Sequence, residues 1–128
     1  MPQPADLLYS KEHEWVKIDG DVATVGITDY AQNSLGDIVY VELPRVGSAV
    51  SQFGNTGVIE SVKAVSDIFT PIGGEVTEVN RALEGDPALV NREPFKGGWL
   101  FKVRMSDPTE KSHLLSPDSY DTLVAAET

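Results

Sequence analysis

Cysteine is absent from this chain of 128 residues. Disulfide frameworks, thiolate metal sites and a cysteine nucleophile are therefore excluded. Positive charge is scarce: ten Lys and Arg stand against twenty Asp and Glu, a formal charge of −10. Such a surface repels phosphate backbones and anionic lipid, so neither nucleic acid nor a membrane is expected as a partner, and proteins with basic docking faces are the complementary kind. No apolar run approaches the ~20 residues of a membrane span. The opening Met1-Pro2-Gln3-Pro4-Ala5-Asp6 has neither the basic-then-apolar order of a secretory signal nor the Arg-rich character of a transit peptide. That predicts a cytoplasmic protein, or the mature form of an organellar one. Catalytic signatures are missing too: no phosphate-cradling glycine loop, no nucleophile elbow and no paired metal-ligand motif. His13 and His113 lie far apart with no patterned acidic companions, and Glu12 and Glu14 are the neighbouring carboxylates that any acidic surface supplies. The expectation is a protein with no active site or metal site of its own.

What is present has the length of one domain and, at 41% hydrophobic residues, enough apolar material for one core. Glu14–Ile18 and Asp21–Val25, separated by Asp19-Gly20, predict a hairpin turning on Asp-Gly. Thr28 is a suitable N-cap for a short helix through Tyr30, Ala31 and Leu35, with Gly36 to end it. Ile38–Leu43 has apolar residues on both faces, which predicts a central, covered strand. A second β unit follows: Gly57–Ser61, a turn at Val62-Lys63-Ala64, then Val65–Phe69. Glu75–Val79 and Leu100–Met105 read as further strands, the latter alternating through Phe101, Val103 and Met105. Asp86-Pro87 predicts the start of a short helix over Ala88-Leu89-Val90, and Ser116-Pro117 that of a terminal helix bearing Tyr120, Leu123 and Val124. The fold class is mainly β with three short helices.

Lys63 stands out in this pattern, being the sole basic residue between Arg45 and Arg81. It interrupts a hairpin made otherwise of apolar and small residues. A surface lysine is ordinarily just solvated, but this position offers a primary amine on a four-carbon stem at a tight turn, beside small Ala64. Acylating that amine removes its charge and lengthens the stem into a swinging arm.

The segment Glu60-Ser61-Val62-Lys63-Ala64, followed by Ser66-Asp67 and Pro71-Ile72-Gly73-Gly74-Glu75-Val76, resembles the lipoylation site of the H-proteins of the glycine cleavage system. The flanks continue the resemblance in order. Upstream stand Tyr9, His13-Glu14-Trp15-Val16, Val25–Gln32, Leu35-Gly36-Asp37 and Val41-Glu42-Leu43-Pro44. Downstream stand Glu78-Val79-Asn80, Leu89-Val90-Asn91, Pro94 and Gly98-Trp99. The likeness runs from about Tyr9 to Met105 and resumes loosely in the terminal helix. Phe95-Lys96-Gly97 and Gly73 depart from the usual family residues without touching the lysine. Residues 1–8 carry no family pattern and are expected to be an extension to a domain over 9–128.

The resemblance implies the barrel-sandwich hybrid of lipoyl and biotinyl domains, with lipoic acid joined covalently to Lys63. A biotin carrier would instead have Met on both sides of the lysine, where this chain has Val62 and Ala64. The implied function is to carry the aminomethyl group of glycine from the pyridoxal-phosphate decarboxylase (P-protein) to the tetrahydrofolate-dependent aminomethyltransferase (T-protein). Dihydrolipoyl dehydrogenase (L-protein) would then reoxidise the arm, and the carrier itself would be no enzyme. Glu60 and Ala64 would help a lipoyl-attaching enzyme recognise the turn. Glu14 and Asp67 match positions near a cleft that shelters the loaded arm, unless they are ordinary solvated carboxylates.

Overall fold

The computed structural model describes residues 4–127; Met1, Pro2 and Gln3, on which the reading of the N-terminus partly rests, lie outside the described residues. The chain opens with β1 (Leu8–Tyr9), β2 (Glu14–Asp19), β3 (Val22–Ile27), α1 (Asp29–Leu35) and β4 (Ile38–Glu42). It continues through β5 (Ala49–Val50), β6 (Asn55–Ser61), β7 (Val65–Phe69) and β8 (Gly74–Val79). Two one-turn helices, α2 (Ala82–Gly85) and α3 (Leu89–Arg92), precede β9 (Phe101–Met105), a 3-10 helix (Pro108–His113) and α4 (Pro117–Glu127). All strand pairs are antiparallel. They form a six-stranded sheet in the order β1-β2-β3-β9-β8-β5 and a three-stranded sheet in the order β4-β6-β7. A mainly β fold with a C-terminal helix is what the sequence led us to expect.

The main core lies between the sheets, where Val16, Val25, Ile38, Ile59, Ile68, Ile72, Val76, Phe101 and Val103 form one buried cluster. Phe101 and Val103 are there because alternation along β9 sends them inward. A second cluster, Leu7, Tyr9, Trp15 and Tyr120, seats α4 against β1 and β2. Tyr9 and Tyr120 stack with ring centroids 4.6 Å apart. Leu7 is buried and Leu8 belongs to β1, so the last residues of the N-terminal octet are structural.

Local signals place several elements well. Thr28 Oγ1 accepts from the Ala31 amide as the N-cap of α1, and Ser116 Oγ accepts from Ser119 N–H at the start of α4. The first hairpin turns one residue later than expected. Asp19 pairs with Val22, leaving Gly20-Asp21 as the loop, and Gly20 alone takes positive φ (+64°). That is the II′ pattern, which requires glycine first, so Gly20 rather than the Asp19-Gly20 pair sets the register. The helix expected from Asp86-Pro87 begins at Leu89 instead; the Asp86 carboxylate pairs with Arg92 and caps nothing.

The strand expected to be central is an edge. Among the described residues β4 has β6 on one side and no strand on the other, and Val39 and Tyr40 are 54% and 49% exposed. A register irregularity between Ile38 and Tyr40 breaks the inward alternation after Ile38. Apolar residues on both faces of a short run thus do not show that both faces are covered.

Candidate functional site

The β6–β7 hairpin ends in a turn whose amides are held by one serine. Ser61 N–H donates to the Ala64 carbonyl at 2.8 Å. Ser61 Oγ accepts from Ala64 N–H at 3.0 Å and from Lys63 N–H at 3.3 Å, the local side-chain-to-backbone capture that stabilises tight turns. Val62 N–H reaches outside the hairpin to the Asp37 carbonyl at 3.0 Å, tying the tip to the loop after α1. Lys63 is therefore exposed on a backbone with little freedom. Its stem crosses Gly36, the C-cap of α1 at φ +83°, where a β-carbon would come within 3.2 Å of Lys63 Cε. Glycine there ends the helix and leaves room for the stem. Among the described residues, no ion pair involves the Lys63 ammonium.

Around it, Val62 and Val65 are exposed apolar residues, Ala64 is half-buried, and Glu60 pairs across the sheet with Val65 on one side and Tyr40 on the other. The turn thus shows an amine flanked by small and apolar side chains, with Glu60 on the strand that leads into it.

Glu14 is not a solvated carboxylate: it is 2% exposed. Oε1 accepts from Ser10 Oγ at 2.5 Å and Oε2 from the Phe69 amide at 3.2 Å, while its own N–H donates to Ser10 Oγ. Burial pushes its pKa up to about 8, against the lowering effect of the Ser10 and Phe69 hydrogen bonds. Asp67, by contrast, is exposed on β7, two residues from Phe69. The structure brings Glu14 to the end of β7 that is remote from the Lys63 turn and leaves Asp67 between them. A carboxylate in an acidic sequence reads as surface, but the period-two pattern of β2 set Glu14 on the same side as buried Val16.

Beside that end of β7 opens a cleft of about 340 Å³ lined by Lys11, Glu12, Phe53, Phe69 and His113. Its far wall is braced by polar contacts. His113 Nδ1 bonds Gln52 Oε1 at 2.9 Å, Gln52 Nε2 donates to the Pro71 and Glu110 carbonyls, and Gly73 N–H donates to Glu110 Oε1. Sequence reasoning missed Ser10, Phe53 and the role of His113, because only tertiary folding gathers them. The other histidine, His13, bonds Tyr120 Oη at 2.8 Å and Glu127 at 3.2 Å, fastening α4. Among the described residues there is no cluster of three or more metal-ligating side chains, and no helix is long and apolar enough to cross a membrane.

A family model described as "Glycine cleavage H-protein" matches residues 7–127. The chain is 53% identical to the glycine cleavage system H protein of Alcanivorax borkumensis, over 97% of each chain. With that of Rubrobacter xylanophilus the identity is 57%, over 91% of this chain and 90% of the relative. The crystal structure of a glycine cleavage system H protein from Mycobacterium marinum superposes with a TM-score of 0.88 at 39% identity, covering 96% of this chain and 99% of that one.

Proposed function

The chain belongs to the glycine cleavage H-protein family, the carrier component of that system, and from this premise we propose that Lys63 is the attachment point of a lipoyl group. The observation that carries the reading is the exposed Lys63 amine, in no ion pair among the described residues, at the tip of a hairpin whose backbone is fixed by Ser61 and Asp37. The site fits an acyl arm: the tip is open to an attaching enzyme, and the stem has room over Gly36.

When bound, the lipoyl group would supply a dithiolane able to carry the aminomethyl group that glycine leaves on losing carbon dioxide, between the pyridoxal-phosphate decarboxylase and the tetrahydrofolate-dependent aminomethyltransferase, with dihydrolipoyl dehydrogenase as the partner that would reoxidise it. This chain's part is placement. Lys63 gives up a charge on forming the amide, and Glu60 and Ala64 present the turn to the lipoyl-attaching enzyme. Val65, Asp67 and Phe69 share one face of β7, by strand alternation, and lead from the turn to the cleft. Behind Phe69, Glu14 keeps its proton up to about pH 8. A cation seated nearby would draw that proton off, so the buried acid becomes a counter-ion only when a positive charge arrives. Asp67 adds a second carboxylate on the way. The relatives named above are bacterial, and we place the reaction in the cytoplasm.

The test is incubation of the purified protein with a lipoyl-attaching enzyme, lipoate and ATP, followed by intact-mass measurement and peptide mapping. One lipoyl group on the peptide bearing Lys63 is expected. No mass gain, or a gain on another lysine, would defeat the reading.

A further inference from the structure

Asn91 lies in α3 beside Val90, which is fully buried in the core. Its backbone is thereby fixed to the body of the protein. Its side chain reaches α1 and the loop after it: Nδ2 donates to Gln32 Oε1 in the helix and to the Gly36 carbonyl, both at 2.9 Å, and Oδ1 accepts from the Ile38 amide at 2.9 Å. Both donor hydrogens and the acceptor are used, and the Ile38 N–H settles which way round the amide sits. Asp37 lies between the two backbone groups so held, and its carbonyl is the acceptor for Val62 N–H. Gly36, held at its carbonyl, is the residue under the Lys63 stem. The external tie of the turn and the bed of the stem thus both sit on a loop clamped by one side chain more than fifty residues away.

We propose that Asn91 is a positioning residue for Lys63, locking residues 36–38 so that the turn is held in the pose an attaching enzyme binds. The proposal rests on the reading of Lys63 as the attachment point. Without the clamp the loop and turn sample other poses. The fraction of carrier in the competent pose falls and the apparent KM rises in inverse proportion, while the rate at saturation is unchanged.

The experiment uses the full-length Asn91→Ala protein with two readouts. Hydrogen exchange at the Val62 amide is expected to quicken by about tenfold, with the core amides of Val25 and Val103 unchanged. The KM for the carrier in lipoyl attachment is expected to rise by about tenfold at constant kcat. Either quantity at its wild-type value overturns the proposal. Should Asn91→Ala fail to fold, Asn91→Asp keeps an acceptor for the Ile38 amide but loses the donor to the Gly36 carbonyl, and is expected to move both readouts the same way by roughly two- to threefold; no movement overturns it equally. A wild-type protein that takes lipoate on another lysine, or takes none, defeats the reading of Lys63 instead, and Val62 exchange still decides whether Asn91 grips the turn.

Discussion

Replacing Glu14 with Gln isolates a single buried ionisation. Gln retains the shape, with an oxygen to accept from Phe69 N–H and an amide to face Ser10 Oγ, but cannot take a negative charge. In the wild type the folded protein holds the Glu14 proton up to about pH 8, against an ordinary value of 4.5. Between these values the folded state binds more protons than the unfolded one, so stability falls as pH rises. The contribution is fully present below pH 4.5 and is lost as the pH passes through about 8. At about 1.4 kcal/mol per unit, wild type should lose roughly 4 kcal/mol relative to Glu14→Gln between about pH 5 and pH 9. That is a large part of the ~5–15 kcal/mol typical of a domain, and urea denaturation at intervals across the range would reveal it. Stabilities of the two proteins that run parallel from acid to alkali would show that Glu14 ionises as a surface acid does, and the counter-ion role proposed for it would go too.

Lys63→Arg should keep the wild-type melting temperature within about 2 °C, since the residue is exposed, yet gain no lipoyl mass; attachment to the variant would place the arm elsewhere. Gly26→Ala drives a methyl into the Trp15 indole and disturbs its bond to the Pro94 carbonyl. A loss of about 1–3 kcal/mol with altered tryptophan fluorescence is expected, and an unchanged melt and spectrum would refute the packing. Tyr120→Phe removes the hydroxyl that bonds both Thr28 and His13 and should cost about 1–2 kcal/mol in thermal denaturation; a wild-type midpoint would mean that this hydroxyl adds nothing to the hold on α4.

Where a residue's role is decided by its near neighbours, the sequence was legible. Thr28 and Gly36 frame α1, alternation through Phe101 and Val103 marks β9, and the Lys63 turn falls where a lone base interrupts two β runs. What was hidden depends on partners far along the chain. β1 and β5 are two residues each, too short for any period to register, and exist because β2 and β8 offer edges to them. The edge position of β4 follows from the absence, among the described residues, of a strand beyond it, which no property of Ile38–Glu42 encodes. The burial of Glu14 requires Ser10 and the Phe69 amide to arrive together. Asn91 entered the sequence reading only as part of the family-like stretch Leu89-Val90-Asn91, since its three partners are distant in sequence.

The strand order has a consequence for synthesis. β3 ends at Ile27, but its second neighbour, β9, begins only at Phe101. Roughly 70 residues must be translated between them, on the order of 4–15 s at ~5–20 residues per second. Meanwhile the β6–β7 hairpin, whose pairing is local, can form within about 1–10 μs of emerging. The lysine tip can thus take shape on a nascent chain long before there is a sandwich to bear it, and its outer support waits on α3. An attaching enzyme that needs only the hairpin could act on the ribosome-bound chain; one that needs the loop at 36–38 in place must wait for the finished fold.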